Sequence, residues 1–142
     1  MTYRLVTDGL AVAEMVSGAG PAGQFLIKQA TLFQTAARAG APKKSGCLAA
    51  SIVKRPVVEE GGMLSIMIEA DTTSCSPSRT NYAEMVHNGT KAHDIFAKNA
   101  SNLLVFKMGD ATIFVNTSKT PVHHPGTKPH PFFTEAEGVL KI

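Results

Sequence analysis

The strongest periodic pattern of apolar residues lies between Pro21 and Gly40. Four apolar residues there recur at the four-three-four spacing of one helical face: Leu26, Ala30, Phe33 and Ala37. Proline suits the first turn of a helix, and glycine is common at a helix end. The pattern therefore predicts an amphipathic helix over Ala22–Ala39 whose apolar face covers a sheet.

The segments after this helix have the pattern of a β-hairpin. Val53–Val58 is rich in β-branched residues, and Met63–Ala70 alternates Leu64, Ile66 and Ile68 with other side chains. The polar segment Glu59–Gly62 connects them. A second hairpin is predicted from Leu103–Lys107 and Ala111–Asn116, which are joined by a turn at Met108-Gly109-Asp110.

Weaker patterns mark further elements in each half of the chain. The N-terminal half has a short strand over Tyr3–Val6, a short helix over Leu10–Val16 and a polar loop over Asp71–Arg79. The C-terminal half has one or two helical turns over Tyr82–His87, an extended segment over Lys91–Ala100, a short strand over Thr120–His124 and a terminal helix over Phe132–Leu140.

Together these elements predict an α+β fold in one domain over residues 1–142. We expect a mainly antiparallel sheet covered by a long N-terminal helix and a short C-terminal helix. The large apolar residues on the predicted inward faces should form most of the core: Phe25, Leu26, Phe33, Ile66, Ile68, Leu104, Ile113, Val115 and Phe132.

Composition is typical of a globular domain, with 44% hydrophobic and 18% charged residues. No apolar run approaches the roughly 18 residues of a membrane span. The segment Leu10–Val16 contains Glu14 and follows Asp8, with no basic region beyond Arg4, so it is not expected to be a secretory signal. We therefore expect a protein made in a cytoplasm.

The two cysteines and the net charge change this picture little. Cys47 and Cys75 have no metal-ligand spacing, and we expect them to be reduced thiols. The net charge is +3 and the pI about 9.0, but Lys43-Lys44 and Lys54-Arg55 are the only adjacent basic pairs. A mixed solvated surface is a better interpretation than a dedicated nucleic-acid face, since no aromatic residues alternate with the basic ones.

Candidate chemistry is limited to the histidines, which all lie in the second half: His87, His93, His123, His124 and His130. A zinc hydrolase using His87, His93 and one of His123 or His124 is an alternative, but the spacing matches no zinc motif. No serine lies in a nucleophile elbow, and Gly18–Gly23 lacks the lysine of a phosphate loop. We predict no catalysis, no cofactor and no metal.

Two motif clusters carry most of the information about function. Asn81–Thr90, with the sequence NYAEMVHNGT, ends at an Asn-Gly pair that favours a turn. Pro125–Phe133, with the sequence PGTKPHPFF, contains three prolines that stiffen the approach to the final helix. These two clusters, with the intervening segment KNASNLLVF, resemble the tail-completion or neck proteins of long-tailed bacteriophages. Those proteins form a ring where the head joins the tail.

The resemblance implies a structural subunit, and it assigns the motif residues a structural role: Tyr82, Ala83, His87, Gly89, Thr90, His93, Pro125, Gly126, Pro129, Pro131 and Phe132. Ile95 and Phe96 are apolar in a polar stretch, so they are candidates for the subunit interface. The alternative that they pack back onto their own sheet is equally open.

The expected partners are other copies of the chain, the connector or adaptor, and the tail tube or terminator. Genome DNA would pass through the ring without tight binding, and no membrane is involved. The expected location is the head-tail junction of the virion, after assembly in the host bacterial cytoplasm. A tail terminator, a stopper and a duplex-DNA-binding protein remain alternatives.

Overall fold

The computed structural model describes residues 1–7, 17–99 and 101–140 of the chain. The helix predicted over Leu10–Val16 lies outside the described residues. The elements in chain order are β1 (Thr2–Thr7), α1 (Pro21–Gly40), α2 (Cys47–Ser51), β2 (Ile52–Lys54), β3 (Val58–Glu60), β4 (Met63–Ala70), α3 (Ala83–Asn88), β5 (His93–Ile95), β6 (Leu103–Met108), β7 (Ala111–Asn116), β8 (Val122–His124) and α4 (Phe132–Glu137).

The chain is a mixed α and β protein with antiparallel sheets, as the sequence predicts at this coarse level. It divides into two compact units, which we call the core unit (Met1–Asn88 and Pro129–Ile142) and the inserted unit (Gly89–Lys128). One domain over residues 1–142 stays a prediction. The strands form a four-stranded sheet in the core unit and two two-stranded sheets in the inserted unit.

Strand β4 is central to the four-stranded sheet of the core unit. It pairs antiparallel with β1 and also with both β2 and β3. The first strand of the predicted hairpin, Val53–Val58, is thus two short strands. Pro56 explains the break, because proline has no N–H to donate to a ladder and it restricts the residue before it.

The hydrophobic core of the core unit is built around a cluster of aromatic rings. Phe33 of α1 is fully buried and stacks on Tyr3 of β1, with ring centroids 4.5 Å apart. Phe133 of α4 lies 5.6 Å from the Phe33 ring. Five residues of the predicted core are confirmed as buried: Leu26, Phe33, Ile66, Ile68 and Phe132. Helix α1 therefore contributes to the same apolar cluster as β4 and α4.

Four of the predicted core residues are not in this core. Phe25 is 52% exposed, because one residue along a helix turns the side chain about 100° away from the Leu26 stripe. Leu104, Ile113 and Val115 are only half-buried, since β6 and β7 form a two-stranded sheet of the inserted unit. Period-two alternation identifies the two faces of a strand but not the layer that covers them.

The expectation of reduced thiols is wrong. Cys47 of α2 and Cys75 form a disulfide with their Cα atoms 5.7 Å apart. Sequence spacing could not reveal this pairing, because 28 residues separate the two cysteines and the fold alone brings them together.

Reduction of this disulfide is expected to lower the free energy of unfolding by about 3.5 kcal/mol, since the open chain gains the entropy of a 28-residue loop. Urea unfolding with and without a reductant measures this difference. A Cys47→Ser, Cys75→Ser double variant is the control, and its stability should not respond to the reductant. An equal response in the variant would show that the disulfide is not the cause.

Among residues 1–7, 17–99 and 101–140, no helix combines the length and the hydropathy that a membrane crossing requires.

Candidate functional site

The first motif cluster begins in a polar network of the core unit. The Asn81 amide nitrogen donates to the Ala70 carbonyl oxygen at 3.1 Å, and its Oδ1 accepts from the Ala83 N–H at 3.2 Å. The fully buried Thr72 hydroxyl accepts from the Tyr82 N–H at 2.9 Å. These bonds satisfy backbone donors at the start of α3 and fix its direction against the end of β4.

The second motif cluster meets the first within the core unit. The His87 ring contacts Phe132 edge-on, with centroids 5.2 Å apart, and its Nε2 lies 3.4 Å from the Thr134 hydroxyl. The His130 N–H donates to the Val86 carbonyl oxygen at 3.0 Å. The side chains of His87 and Phe132 are both buried. Residues from the two clusters therefore build one packed junction between α3 and α4.

His87 has the surroundings of a neutral core histidine. Burial lowers its pKa below the ordinary value, and the carboxylates of Glu135 and Glu137 oppose this shift only in part. Its Nδ1 is buried and has no hydrogen-bond partner among the described residues. Charging this ring would place a positive charge in an apolar junction, and Glu135 and Glu137 would compensate it only in part, so the neutral imidazole is the form that packs here.

Acidification is expected to destabilise the protein through His87. The unfolded chain protonates this ring near the ordinary pKa of about 6.5, whereas the folded chain resists protonation until lower pH. The full stability is therefore present above about pH 6.5 and decreases as the pH falls toward the folded pKa, by up to about 1.4 kcal/mol per pH unit.

Urea unfolding of the wild type and of a His87→Phe variant, at about pH 7.5 and about pH 5.5, tests this prediction. The phenylalanine variant should lose the His87 part of the pH dependence. An identical pH dependence in both proteins would contradict the prediction.

A threonine pair closes the inserted unit at its two ends. Thr90 and Thr127 each donate a backbone N–H to the carbonyl oxygen of the other at 3.1 Å, and their hydroxyl oxygens lie 3.0 Å apart. Gly126 beside this pair has φ of +84°, and a Cβ there would lie 2.2 Å from the Thr90 carbonyl oxygen. Only glycine fits at position 126, so this motif residue has a backbone reason for its identity.

Strands β5 and β8 lie next to the Thr90–Thr127 bridge along the chain and pair with each other. His93 lies opposite His124, with ring centroids 5.0 Å apart, and Asp94 lies opposite His123 with its Oδ1 2.9 Å from the His123 Nδ1. The Gly126 N–H donates to the His124 Nδ1 at 3.1 Å. That bond leaves the proton of a neutral His124 ring on Nε2, which is then unable to ligate a metal.

The histidines of the zinc-hydrolase alternative do not share one set of elements. His87 belongs to the core unit, where its Nε2 faces Thr134, whereas His93, His123 and His124 lie on the β5–β8 ribbon of the inserted unit. In the part of the chain that the structure describes, no group of three or more histidine, cysteine, aspartate or glutamate side chains has the arrangement of a metal site.

The candidate interface residues have different exposures. Ile95 lies opposite Val122 in the β5–β8 ribbon and is half-buried, whereas Phe96 directly after the strand is 59% exposed. Of the motif prolines, Pro125 and Pro129 are exposed and Pro131 precedes α4 as a half-buried residue. Phe96 is thus the residue of the predicted pair that is open to a neighbour.

Three features of the site were absent from the sequence-based assignment. Thr127 is the partner of Thr90, and the repeated Gly-Thr pair at Gly89-Thr90 and Gly126-Thr127 was a usable signal. The buried hydroxyl of Thr72 left no such signal. The third is the exposure of apolar side chains on β6 and β7. The unbroken apolar run Leu103–Phe106 in β6 was a usable signal for it.

No protein-family model matches the sequence, and comparisons with curated proteins and with solved structures found no match.

Proposed function

We propose that the chain is a structural subunit of a long-tailed phage neck, one copy of a homo-oligomeric ring that joins the head connector to the tail. The proposal includes the finer fold expected from the sequence: a mainly antiparallel sheet covered by a long N-terminal helix and a short C-terminal helix. The chain would then act by shape and contact, without catalysis, cofactor or metal.

The observation that carries the proposal is the junction of the two motif clusters. The residues on which the resemblance rests form a packed and hydrogen-bonded structure, with His87 against Phe132 and the Val86 carbonyl accepting from His130. Their roles are those of scaffold residues, because they fill space, cap backbone groups and close turns. This supports a subunit that acts through a fixed shape rather than one whose side chains perform chemistry.

A ring needs two different contact faces on each copy, because a heterologous contact closes only when unlike surfaces meet around a rotation axis. Phe96, with 59% of its surface exposed, is our candidate for one side of that contact, with Ile95 beside it. The other proposed partners are the connector or adaptor on the head side and the tail tube or terminator on the tail side. The proposed location is the head-tail junction of the virion.

Loss of the subunit tests this function in the phage or prophage that encodes it. Deleting the gene should leave DNA-filled heads and complete tails that are not joined, and supplying the protein should restore joined particles. A Phe96→Glu protein should restore fewer joined particles than the wild type. Phe25→Glu, which makes the same substitution at another exposed phenylalanine, is the matched control. Joined, infectious particles in the absence of the protein would contradict the proposal.

The same deletion distinguishes the neighbouring roles in the neck. A tail terminator is needed to stop tail growth, so its loss should give tails of irregular length. A stopper retains packaged DNA, so its loss should give empty heads. We expect full heads and tails of normal length, as for the completion protein.

A further inference from the structure

We infer that the Cys47–Cys75 disulfide is a reversible redox switch that holds one loop of the core unit against α2. We call residues 73–80, which contain Cys75, the switch loop. The inference goes beyond the proposed function and does not depend on it. Two observations carry it: the bond joins an anchored helix to a loop with few other ties, and Cys75 is exposed to small thiols.

The α2 side of the bond is fixed to the core unit. Leu48, the residue after Cys47, is buried in the hydrophobic core, and α2 packs against α1, β2 and β4. The Ser51 carbonyl oxygen at the end of α2 accepts from the Asp71 N–H at 3.4 Å. Cys47 itself is only half-buried. Opening the bond therefore leaves α2 in place.

The switch loop is held mainly by bonds within itself. The N–H groups of Cys75 and Ser76 both donate to the Thr72 carbonyl oxygen, at 3.2 and 2.8 Å, and the Arg79 N–H donates to the Ser76 carbonyl oxygen at 2.9 Å. Within the part of the chain that the structure describes, the hydrogen bonds of the switch loop stay inside it or reach the two residues before it. The disulfide is therefore the bond that ties the middle of this loop to another element.

The base of the switch loop is closed without any sulfur. The Thr72 hydroxyl is fully buried, donates to the Thr80 carbonyl oxygen at 3.1 Å and accepts from the Tyr82 N–H at 2.9 Å. The Asn81 Oδ1 accepts from the Thr72 N–H at 3.4 Å. These bonds persist when the disulfide opens, so the change is confined to the switch loop and the start of α3 keeps its place.

The exposed position of Cys75 sets the chemistry of the switch. A thiolate of the glutathione class attacks the Cys75 sulfur and forms a mixed disulfide, and Cys47 leaves as a thiolate that takes up a proton. A second thiolate attacks the mixed disulfide, which releases the Cys75 thiol and one small-molecule disulfide, so two electrons enter the protein. The reverse exchange, with the small-molecule disulfide as oxidant, closes the bond. Exposed disulfides are the labile and regulatory ones, whereas buried structural ones resist the glutathione pool.

Equilibration in glutathione buffers tests the reversibility. Free thiols are alkylated after an acid quench and counted by mass spectrometry, and circular dichroism follows the fold. The folded dithiol form should dominate at the glutathione ratio of a reducing cytosol, and the disulfide form at an oxidising ratio, with the same curve from both directions. A bond that stays closed in the reducing buffer, or a dithiol form that is unfolded, would overturn the inference.

Limited proteolysis tests the switch loop itself. Arg79 lies in this loop and is exposed, so trypsin cleaves after it when the loop opens. A Cys47→Ser, Cys75→Ser double variant represents the open form without a reductant, and reduced wild-type protein should behave like it. Cleavage after Arg79 should be at least about tenfold faster in the open form than in the disulfide-bonded wild type. Cleavage after the exposed Lys107 of β6, the internal control, should change by less than about twofold.

The two cleavage sites separate a local switch from a general crosslink. Equal acceleration after Arg79 and Lys107 would show that the bond stabilises the whole chain, and unchanged cleavage after Arg79 would show that the loop does not respond to it. Either result overturns the inference. A working switch in a chain that is absent from the head-tail joint would leave this inference standing and the proposed function refuted. A permanent crosslink in a chain found at the joint gives the reverse.

Discussion

Replacing Phe33 by alanine is expected to lower the free energy of unfolding by about 3–5 kcal/mol. The ring is fully buried between Tyr3 and Phe133, so its loss removes apolar burial from the centre of the core unit and leaves a cavity. Urea or thermal unfolding followed by circular dichroism measures the change.

The same helix supplies a matched control. Phe25→Ala makes the identical substitution at a residue that is 52% exposed, and it should change stability by about 0.5 kcal/mol or less. Equal losses at the two positions would show that α1 does not direct Phe33 into the core. That result would remove the packing on which the fold of the core unit depends.

The second large effect is expected at Gly126. An alanine there meets two penalties, because φ is +84° and its Cβ would overlap the Thr90 carbonyl oxygen. The Thr90–Thr127 bridge should open, and the backbone amides of both threonines should lose protection from hydrogen exchange on the order of a hundredfold.

Gly109 in the β6–β7 turn separates the two penalties. Its φ is +64°, but an added Cβ meets no atom within 4 Å. Gly109→Ala should therefore cost only the conformational part, about 1–2 kcal/mol, and leave the Thr90 and Thr127 amides protected. If the Thr90 and Thr127 amides exchange at the same rate in both alanine variants, close packing around Gly126 is not what holds the inserted unit closed.

Local periodicity was sufficient to predict the elements that bury one face. The Leu26, Ala30, Phe33 and Ala37 stripe gives α1, and the alternation at Leu64, Ile66 and Ile68 gives β4, because each pattern records which side of the element is apolar. The bounds of β7 were also predicted correctly, at Ala111–Asn116.

What the sequence did not reveal depends on tertiary placement. Alternation in β7 suggested that Ile113 and Val115 belong to the main core, but nothing local states which layer covers a strand. The Cys47–Cys75 pairing and the buried Thr72 hydroxyl likewise arise only when distant segments meet. For the candidate site, the sequence marked the residues of the two motif clusters, but only the fold shows which of them meet in the core unit, such as His87 and Phe132.

The disulfide adds a constraint on where the proposed ring matures. Disulfides are rare in reducing cytoplasm and persist on virions and outside cells. A subunit assembled in the bacterial cytoplasm would hold Cys47 and Cys75 as thiols and close the bond after release. Cys75 is exposed and Cys47 is half-buried, so an oxidant can reach the pair.

Electron microscopy of the assembled particle tests the central claim most directly. The account predicts density for this chain as a closed ring at the head-tail joint, in which each copy contacts the next through residues at Ile95 and Phe96. A particle whose joint contains no copy of the chain, with the protein left as a free monomer, would contradict it.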